Sequence, residues 1–508
     1  MLERIPRPAV IDLLQIFLLS SICLALGLKP LEDLDLGWHL AGGLWTIDHG
    51  SVPGTDFLSA AGSRWVAYSW LPEIIFAGCF RAFGFAGLVI LQLVEIWSST
   101  IVLYLSLVTL SDRCSKERPV ETRLVCAVAC LLLMQLLTPF WALRPQLLSA
   151  MAFSLLLVWA EKGLLTVPRA VVLTILWANV HVFWIAVPAT AAIYRVFSEG
   201  GTTGARVVRA LGTAFVLLLC GAISPYGLEN LAVLQQYSTN HHDAYGLIRE
   251  FQPMSVDLGY LVGAFFLATI VPFAAPTRMR GIRLPLLLLW LGCFVAALLQ
   301  RKYLILFAPV SCAVYARSIV PHLAEKLRVS SNPAPLRTQL ALGALLTIFV
   351  ALALSALGPV SPMSPHVQGL LDTAEALAAE EPREQVNVLS SFDDGGWLGF
   401  GLYLNRGQGH ETSAFRTSID GRTLVMGGER LHNYSLLERG APESCEILSR
   451  WRVTKLVLPK GFPLMDELLN RESGNNPRFP CLTKFEIQGF RGAEGAAIYV
   501  ATLKSELS

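Results

Sequence analysis

Charge is what this sequence has least of. Only 15% of its 508 residues are Asp, Glu, Lys or Arg, and they nearly cancel to a formal net charge of +2. Such scarcity excludes an ordinary soluble domain, where about a quarter of the residues are charged. The near-zero balance excludes nucleic acid as a partner. Internal repeats are also missing, as are Gly/Pro-broken spans in matching halves, and both absences argue against a transporter. No convincing small-residue cleavage site follows the first apolar run, residues 9 to 28, which is therefore a retained anchor and not a signal peptide.

What is present in their place is apolar. Hydrophobic residues make up 54% of the chain and the mean hydropathy is +0.53, which describes a polytopic α-helical membrane protein. Apolar runs lie near 9–28, 70–83, 84–110, 124–142, 145–161, 170–194, 209–224, 258–275, 284–299, 303–320 and 338–358. Taken as spans they number about eleven, several of them short against the ~20 residues a bilayer requires. Lys and Arg gather on cytoplasmic loops. With the N-terminus inside, the basic stretches Arg195–Arg209, Arg278–Arg283 and Arg317–Arg337 fall inside, and 29–69, 225–257 and the tail after 358 fall outside. One loop disagrees. Residues 113–123, with Arg113, Lys116, Arg118 and Arg123, fall outside unless 70–83 is an interfacial helix and another run is miscounted.

Residues 1–358 thus form the membrane domain with an outer loop at 29–69. From about Ser361 the Leu-rich runs give way to Glu, Asp, Asn and Gly, and 359–508 is expected to be an extracytoplasmic α/β domain. Short β-type runs at Val386–Leu389, Leu456–Leu458 and Ala497–Ala501 alternate there with helical stretches such as Val367–Glu380. Of the ten cysteines most lie in apolar spans as small core residues. Cys445 and Cys481 lie in the tail, where an oxidising compartment would let them bond.

The polar residues concentrate just after the first span. Asp33, Asp35, Trp38 and His39 place two carboxylates and an imidazole at a membrane surface, followed by Asp56, Trp65, Trp70 and Glu73. Ionisable groups at that depth cost free energy and usually serve function. A carboxylate walled by Trp38, Trp65 and Trp70 can act as a general base toward a hydroxyl or amine. If helical, the i, i+4 spacing sets Asp35 and His39 on one face. The plainer alternative is a helix cap and an interfacial aromatic belt. Elsewhere, Arg301 and Lys302 at the outer end of a span suit a phosphate or serve as snorkelling anchors. His181, beside Asn179, is mid-span, either a buried interhelical contact or part of a reaction chamber. Arg144 falls on the cytoplasmic side in this topology. The outer loop 224–257 offers Glu250 as a further carboxylate, and His241, His242 and Asp243 form a polar loop that is not by itself a metal site. Asp33 with Asp35 leaves a divalent cation open as a cofactor. In the tail, Asp393–Gly396 and Asp420–Arg422 read as turns at strand ends.

The segments Asp33–Gly43, Gly50–Ser59 and Trp65–Glu73, followed in order by Trp177–His181, Ser224–Gly227, Ile248–Phe251, Arg301–Tyr303 and Ile419–Arg422, resemble bacterial membrane proteins grouped with the GT-C glycosyltransferases. Where relatives usually carry a second aromatic before the Trp-His pair, this chain has Gly37. The resemblance implies transfer of a sugar from a polyprenyl-phosphate donor to a glycan, lipid or protein acceptor on the outer face of a bacterial inner membrane, with membrane lipids as surroundings. It also implies that Asp35 is the catalytic carboxylate of the first outer loop. Beside it, Asp33, His39 and Glu250 are the further catalytic candidates, and Trp38, Asp56, Trp70, Glu73, Arg144, His181, Arg301 and Lys302 the candidates for binding the substrates. A transporter or lipid flippase of the envelope, or a non-catalytic assembly protein, is the alternative.

Overall fold

Proline begins many of the helices, where its missing N–H costs nothing and its fixed φ suits the first turn. In a computed structural model, the described residues are 7–111, 116–198, 200–239, 248–254, 259–279, 281–327, 361–380, 382, 384–406, 413–470, 478–491 and 498–503. Arg113, His241, His242, Asp243, Asp257, Arg337 and the run 338–358 lie outside them. The chain runs through α1 (Arg7–Gly27), α2 (Leu36–His49), α3 (Trp70–Leu110), α4 (Pro119–Met134), α5 (Pro145–Glu161), α6 (Val167–Ala178), α7 (Ala186–Ser198) and α8 (Thr203–Cys220). It continues through α9 (Glu229–Thr239), α10 (Tyr260–Ile270), α11 (Leu284–Leu299), α12 (Leu304–Arg317) and α13 (Ile319–Lys326). The tail holds α14 (Pro365–Ala378), β1 (Val386–Ser390), α15 (Gly395–Leu404), β2 (Phe415–Thr417), α16 (Thr423–Glu438), β3 (Val453–Pro459), β4 (Phe485–Arg491) and β5 (Ile498–Leu503).

Contacts divide the chain into two units. The first holds Met1–Lys29, Val89–Leu231 and Glu250–Val360, and the second Pro30–Leu88, Ala232–Arg249 and Ser361–Ser508. This division differs from a boundary at 358/359, because the outer loop 29–69 is grouped with the tail.

The first unit is helical. Its centre is α12, in which every residue from Leu304 to Ala316 is buried, as a helix apolar all round must be. Rings from two neighbouring helices, α10 and α11, close on its Phe307: Phe265 stacks 5.3 Å from Phe294, Phe307 lies 5.1 Å from Phe265, and Trp290 lies 6.2 Å from Phe307. At the periphery, α8 exposes Val208, Leu211 and Phe215, the surface a lipid-facing helix presents.

Three helices are long and apolar enough to cross a membrane alone: Trp70–Leu110, Pro119–Phe140 and Thr203–Cys220. The pair Arg301–Arg317 and Ile319–Lys326, bent by 44°, makes a fourth if taken together. Six shorter apolar helices accompany them among the described residues, so the expected count of about eleven is not reached by length. Two runs read differently from the sequence. Residues 70–83 and 84–110 are one helix broken at Gly84, whose φ of 61° is outside the helical range. The run 170–194 is divided at Asn179–His181, where His181 is extended.

The second unit is α/β, with a five-stranded sheet in the order β2-β1-β3-β5-β4. The pairs β1/β2 and β1/β3 are parallel, and β3/β5 and β4/β5 antiparallel. The runs expected at Val386, Leu456 and Ala497 correspond to β1, β3 and β5, although Ala497 itself is outside the described residues. Cys445 and Cys481 are joined in a disulfide.

The early loop adds itself to this sheet. Ser59 bridges Thr417 in parallel, with Ala60 N–H donating to the Thr417 carbonyl at 2.8 Å and Thr417 N–H to that of Leu58 at 3.2 Å. Helix α2 then crosses α15 with backbones in contact. A Cβ at Gly37 would stand 2.5 Å from the Gly396 carbonyl oxygen and 2.7 Å from Trp397 Cα. The position read as a missing aromatic is therefore where two helices touch.

Gly37→Ala should overpack this crossing and lower stability by about 1–3 kcal/mol. Gly78→Ala, where no atom lies within 4 Å, should be neutral or slightly stabilising. Thermal unfolding of the two purified variants in detergent checks the contrast.

Candidate functional site

In the second unit the short link between α1 and α2 ends in an acidic turn. Asp33 is buried and its Oδ1 accepts from the Asp35 N–H at 3.0 Å. Asp35, the residue before α2, is half-buried, and its Oδ1 accepts from Trp38 Nε1 at 3.1 Å. One helical turn separates those two residues, so the indole orients the carboxylate that precedes it. The tail closes on the same turn. Trp397 Nε1 donates to the Asp33 carbonyl at 2.7 Å, and a Cβ at Gly421 would stand 2.5 Å from Asp35 Oδ1. Only glycine lets the 420–422 loop approach that carboxylate.

His39 is buried, tilted against Trp38 with ring centroids 3.6 Å apart. Its Nδ1 meets Glu73 Oε1 at 3.0 Å, so the carboxylate that orients this nitrogen comes from the first turn of α3, although the helical spacing had offered Asp35 for that role. Trp70 is the first residue of α3 and is half-buried.

Asp56 is consumed by structure. Its Oδ1 accepts from the N–H groups of Leu58 at 3.0 Å and Ser59 at 3.2 Å, and Oδ2 takes the Ser59 hydroxyl. Arg422 Nη2 also reaches Asp56 Oδ1 at 2.9 Å and Asp420 Oδ2 at 2.6 Å. The guanidinium sits 4.3 Å from the centroid of Trp65. Burial works against its charge, but Asp420 and Asp56 more than offset that, and the Arg422 pKa is raised.

The remaining predicted residues lie in the first unit. Arg144, just before α5, forms an ion pair with Glu250, and its N–H donates to Glu95 Oε2 at 3.3 Å. The hydrocarbon core of a bilayer is about 30 Å thick, so paired side chains share one face. Placing Arg144 on the cytoplasmic side and Glu250 outside is thereby corrected. Arg301 donates from its backbone to the Gln252 carbonyl at 3.1 Å and from Nη2 to Gln252 Oε1 at 3.3 Å. Lys302 is buried, with Nζ 4.0 Å from the centroid of Phe251. Three cations therefore converge on residues 250–252. His181 Nδ1 lies 3.0 Å from Ser149 Oγ, which accepts from Trp177 Nε1 at 2.9 Å. The His181 network thus ties the start of α5 to the end of α6.

Among the described residues no three His, Cys, Asp or Glu side chains come together as a metal site.

No protein-family model matches the chain, and no curated protein does. Solved structures do match. The oligosaccharyltransferase of Archaeoglobus fulgidus, tethered to an acceptor peptide, superposes with a TM-score of 0.53 at 12% identity, over 90% of this chain and 69% of that one. The same protein in complex with an inhibitory peptide and a dolichol-phosphate gives 0.51 at 11% identity, over 90% and 70%. ArnT from Cupriavidus metallidurans, bound to undecaprenyl phosphate, gives 0.50 at 12% identity, over 97% of both chains. Both neighbours are GT-C glycosyltransferases. The chain carries the GT-C fold.

Within that GT-C fold, three positions escaped the sequence reading. Glu95 is a lone acid in the apolar run 84–110 and is buried, a signal that intramembrane charge alone provides. Arg422 and Gly421 had only a turn motif to mark them. Arg422→Ala would leave Asp56 and Asp420 buried without their cation, at about 3–5 kcal/mol. Denaturant unfolding of purified Arg422→Ala should show that loss, with Arg422→Lys recovering part of it.

Proposed function

We propose that this protein is a membrane glycosyltransferase that moves a sugar from a polyprenyl-phosphate donor to a cell-envelope acceptor, a glycan, lipid or protein, on the outer face of the bacterial inner membrane. The observation that carries this reading is the fold likeness over 97% of both chains to ArnT, in a structure bound to undecaprenyl phosphate. The Asp33–Asp35 turn and the cations around Glu250 supply the two kinds of group that such a transfer uses.

In this mechanism Asp35 removes the proton of the acceptor hydroxyl or amine as its oxygen or nitrogen attacks the anomeric carbon. The bond between that carbon and the phosphate oxygen breaks, and polyprenyl phosphate leaves. Arg144, Arg301 and Lys302 stabilise the charge that develops on it, a bidentate guanidinium being suited to phosphate. Asp33 and Trp38 hold Asp35 in place by the hydrogen bonds described. A single displacement inverts the anomeric configuration.

The topology follows the same reading. If 70–83 does not cross and α6 and α7 form a re-entrant pair broken at Asn179–His181, the stretches 113–123, 162–169, 195–209, 278–283 and 317–337 all fall in the cytoplasm, as basic loops do. Asp35, Arg144, Glu250, Arg301 and Lys302 then share the outer face with the tail, and the N-terminus is cytoplasmic. The disulfide in the tail suits an oxidising compartment.

Two experiments test this. Asp35→Asn should accumulate to wild-type levels while one envelope glycan or lipid loses a sugar, read by mass spectrometry of the cell envelope. An unchanged envelope would refute the role of Asp35 and favour a transporter or an assembly protein. Alkaline phosphatase fused after Arg118 should be inactive, and fused after Trp141 active. The reverse pattern would overturn the topology.

A further inference from the structure

Within the second unit, α2 meets the start of α3 along small residues. A Cβ at Gly42 would stand 2.9 Å from Glu73 Oε2 and 3.2 Å from the Trp65 ring, and one at Gly43 would stand 2.0 Å from the Glu73 carbonyl oxygen and 2.8 Å from Ala77 Cβ. By the i, i+3, i+4 spacing of helices, His39, Gly42 and Gly43 share one face of α2, and Glu73, Phe76 and Ala77 share one face of α3. Into this close crossing the chain places a fully buried carboxylate, Glu73, and an imidazole, His39, at 3.0 Å. Replacing such a pair by apolar residues is often neutral or stabilising, so stability does not account for its presence. Burial also keeps Glu73 from touching a substrate directly, and any part it plays in a reaction passes through a neighbour.

The neighbours lead to Asp35. One proton lies between His39 Nδ1 and Glu73 Oε1, and whichever atom carries it, the hydrogen bond fixes the plane of the imidazole. That ring lies 3.6 Å from the ring of Trp38, centroid to centroid, tilted by 35°, and Phe76 stands edge-on to it at 6.3 Å. Trp38, backed in this way, donates from Nε1 to Asp35 Oδ1 at 3.1 Å. A hydrogen bond, a ring contact and a second hydrogen bond thus run from the first turn of α3 to the acidic turn before α2.

We infer that Glu73 is a positioning residue for the transfer: through His39 it holds the Trp38 indole where its N–H aims the Asp35 carboxylate. This role rests on the transferase reading, in which Asp35 takes the proton of the acceptor. Misplacing a reacting group by about 1 Å can cost on the order of 10²-fold in rate. A support two side chains removed can therefore weigh on the reaction without meeting the substrate.

To test it, the full chain is induced in cells deleted for its gene. Mass spectrometry follows the initial rate at which the envelope component that Asp35→Asn leaves short of a sugar regains it, per amount of folded protein. Glu73→Leu should slow that rate about tenfold or more, and Glu73→Gln, whose amide still bonds His39, should recover most of it. Trp38→Phe keeps the ring and removes the N–H that reaches Asp35. In that background Glu73→Leu should cost less than about twofold further, because the path is already cut. Losses that multiply in the double variant would show Glu73 acting independently of Trp38 and would overturn the role, as would a wild-type rate in Glu73→Leu. Should Glu73→Leu fail to accumulate, Glu73→Asp draws the carboxylate back by one methylene, and a wild-type rate there overturns the role equally. An envelope unchanged by Asp35→Asn removes the transferase reading and this role with it, whereas a rate that depends on Asp35 but not on Glu73 removes this role alone.

Discussion

A buried guanidinium between two carboxylates holds the second unit together. Arg422 reaches Asp56 and Asp420 at 2.9 and 2.6 Å under the face of Trp65, and so fastens a loop near the start of the chain to one near its end. Removing a single partner from such a group leaves uncompensated charge in a place without water. The loop 50–69 keeps its shape through this pairing and its bridge to β2. The Asp33–Asp35 turn in its turn depends on Trp397 and Gly421, both from the tail. The acidic turn is consequently a joint product of two distant stretches of sequence.

The first unit is organised differently. Helix α12, buried from Leu304 to Ala316, supplies apolar packing at its centre, and the unit's ionic side chains gather in clusters. Arg144, Glu250, Arg301 and Lys302 form one such group, and Glu161, Tyr194 and Arg317 another. Charges inside apolar surroundings are stable only when paired and hydrogen-bonded, so each cluster is a small closed network. The ion pair of Arg144 with Glu250 also constrains topology, since it ties together two loops that parity counting had assigned to opposite faces.

Much of this was legible in the sequence. Low charge and long apolar runs give the membrane class, and the change after Ser361 marks a tail in which three of the five strands, β1, β3 and β5, lie where β-type runs were expected and β2 and β4 do not. The cluster from Asp33 to Glu73 was visible because polar residues are rare there. The pairing of Arg144 with Glu250 was not, because parity counting depends on every run being read correctly and a 14-residue run such as 70–83 is too short to read as span or surface helix. Gly37 was misread because a notch for a crossing helix cannot be told from a lost aromatic without the partner. The pairing of Asp56 with Arg422 left no trace, since contacts between residues so far apart carry no local periodicity.

Because residues 30–88 share a unit with 361–508, the order of synthesis matters for this chain. A ribosome adding about 5–20 residues per second needs roughly 15–55 s to make the intervening stretch. Throughout that interval Asp56 has neither Arg422 nor the edge of β2, and the glycine face of α2 has no α15 to meet. The early loop must therefore wait, unfolded or chaperoned, until the last part of the chain emerges. A chain that ends before residue 422 would lose β3, β4 and β5 and would also leave Asp56, some 370 residues upstream, without its guanidinium.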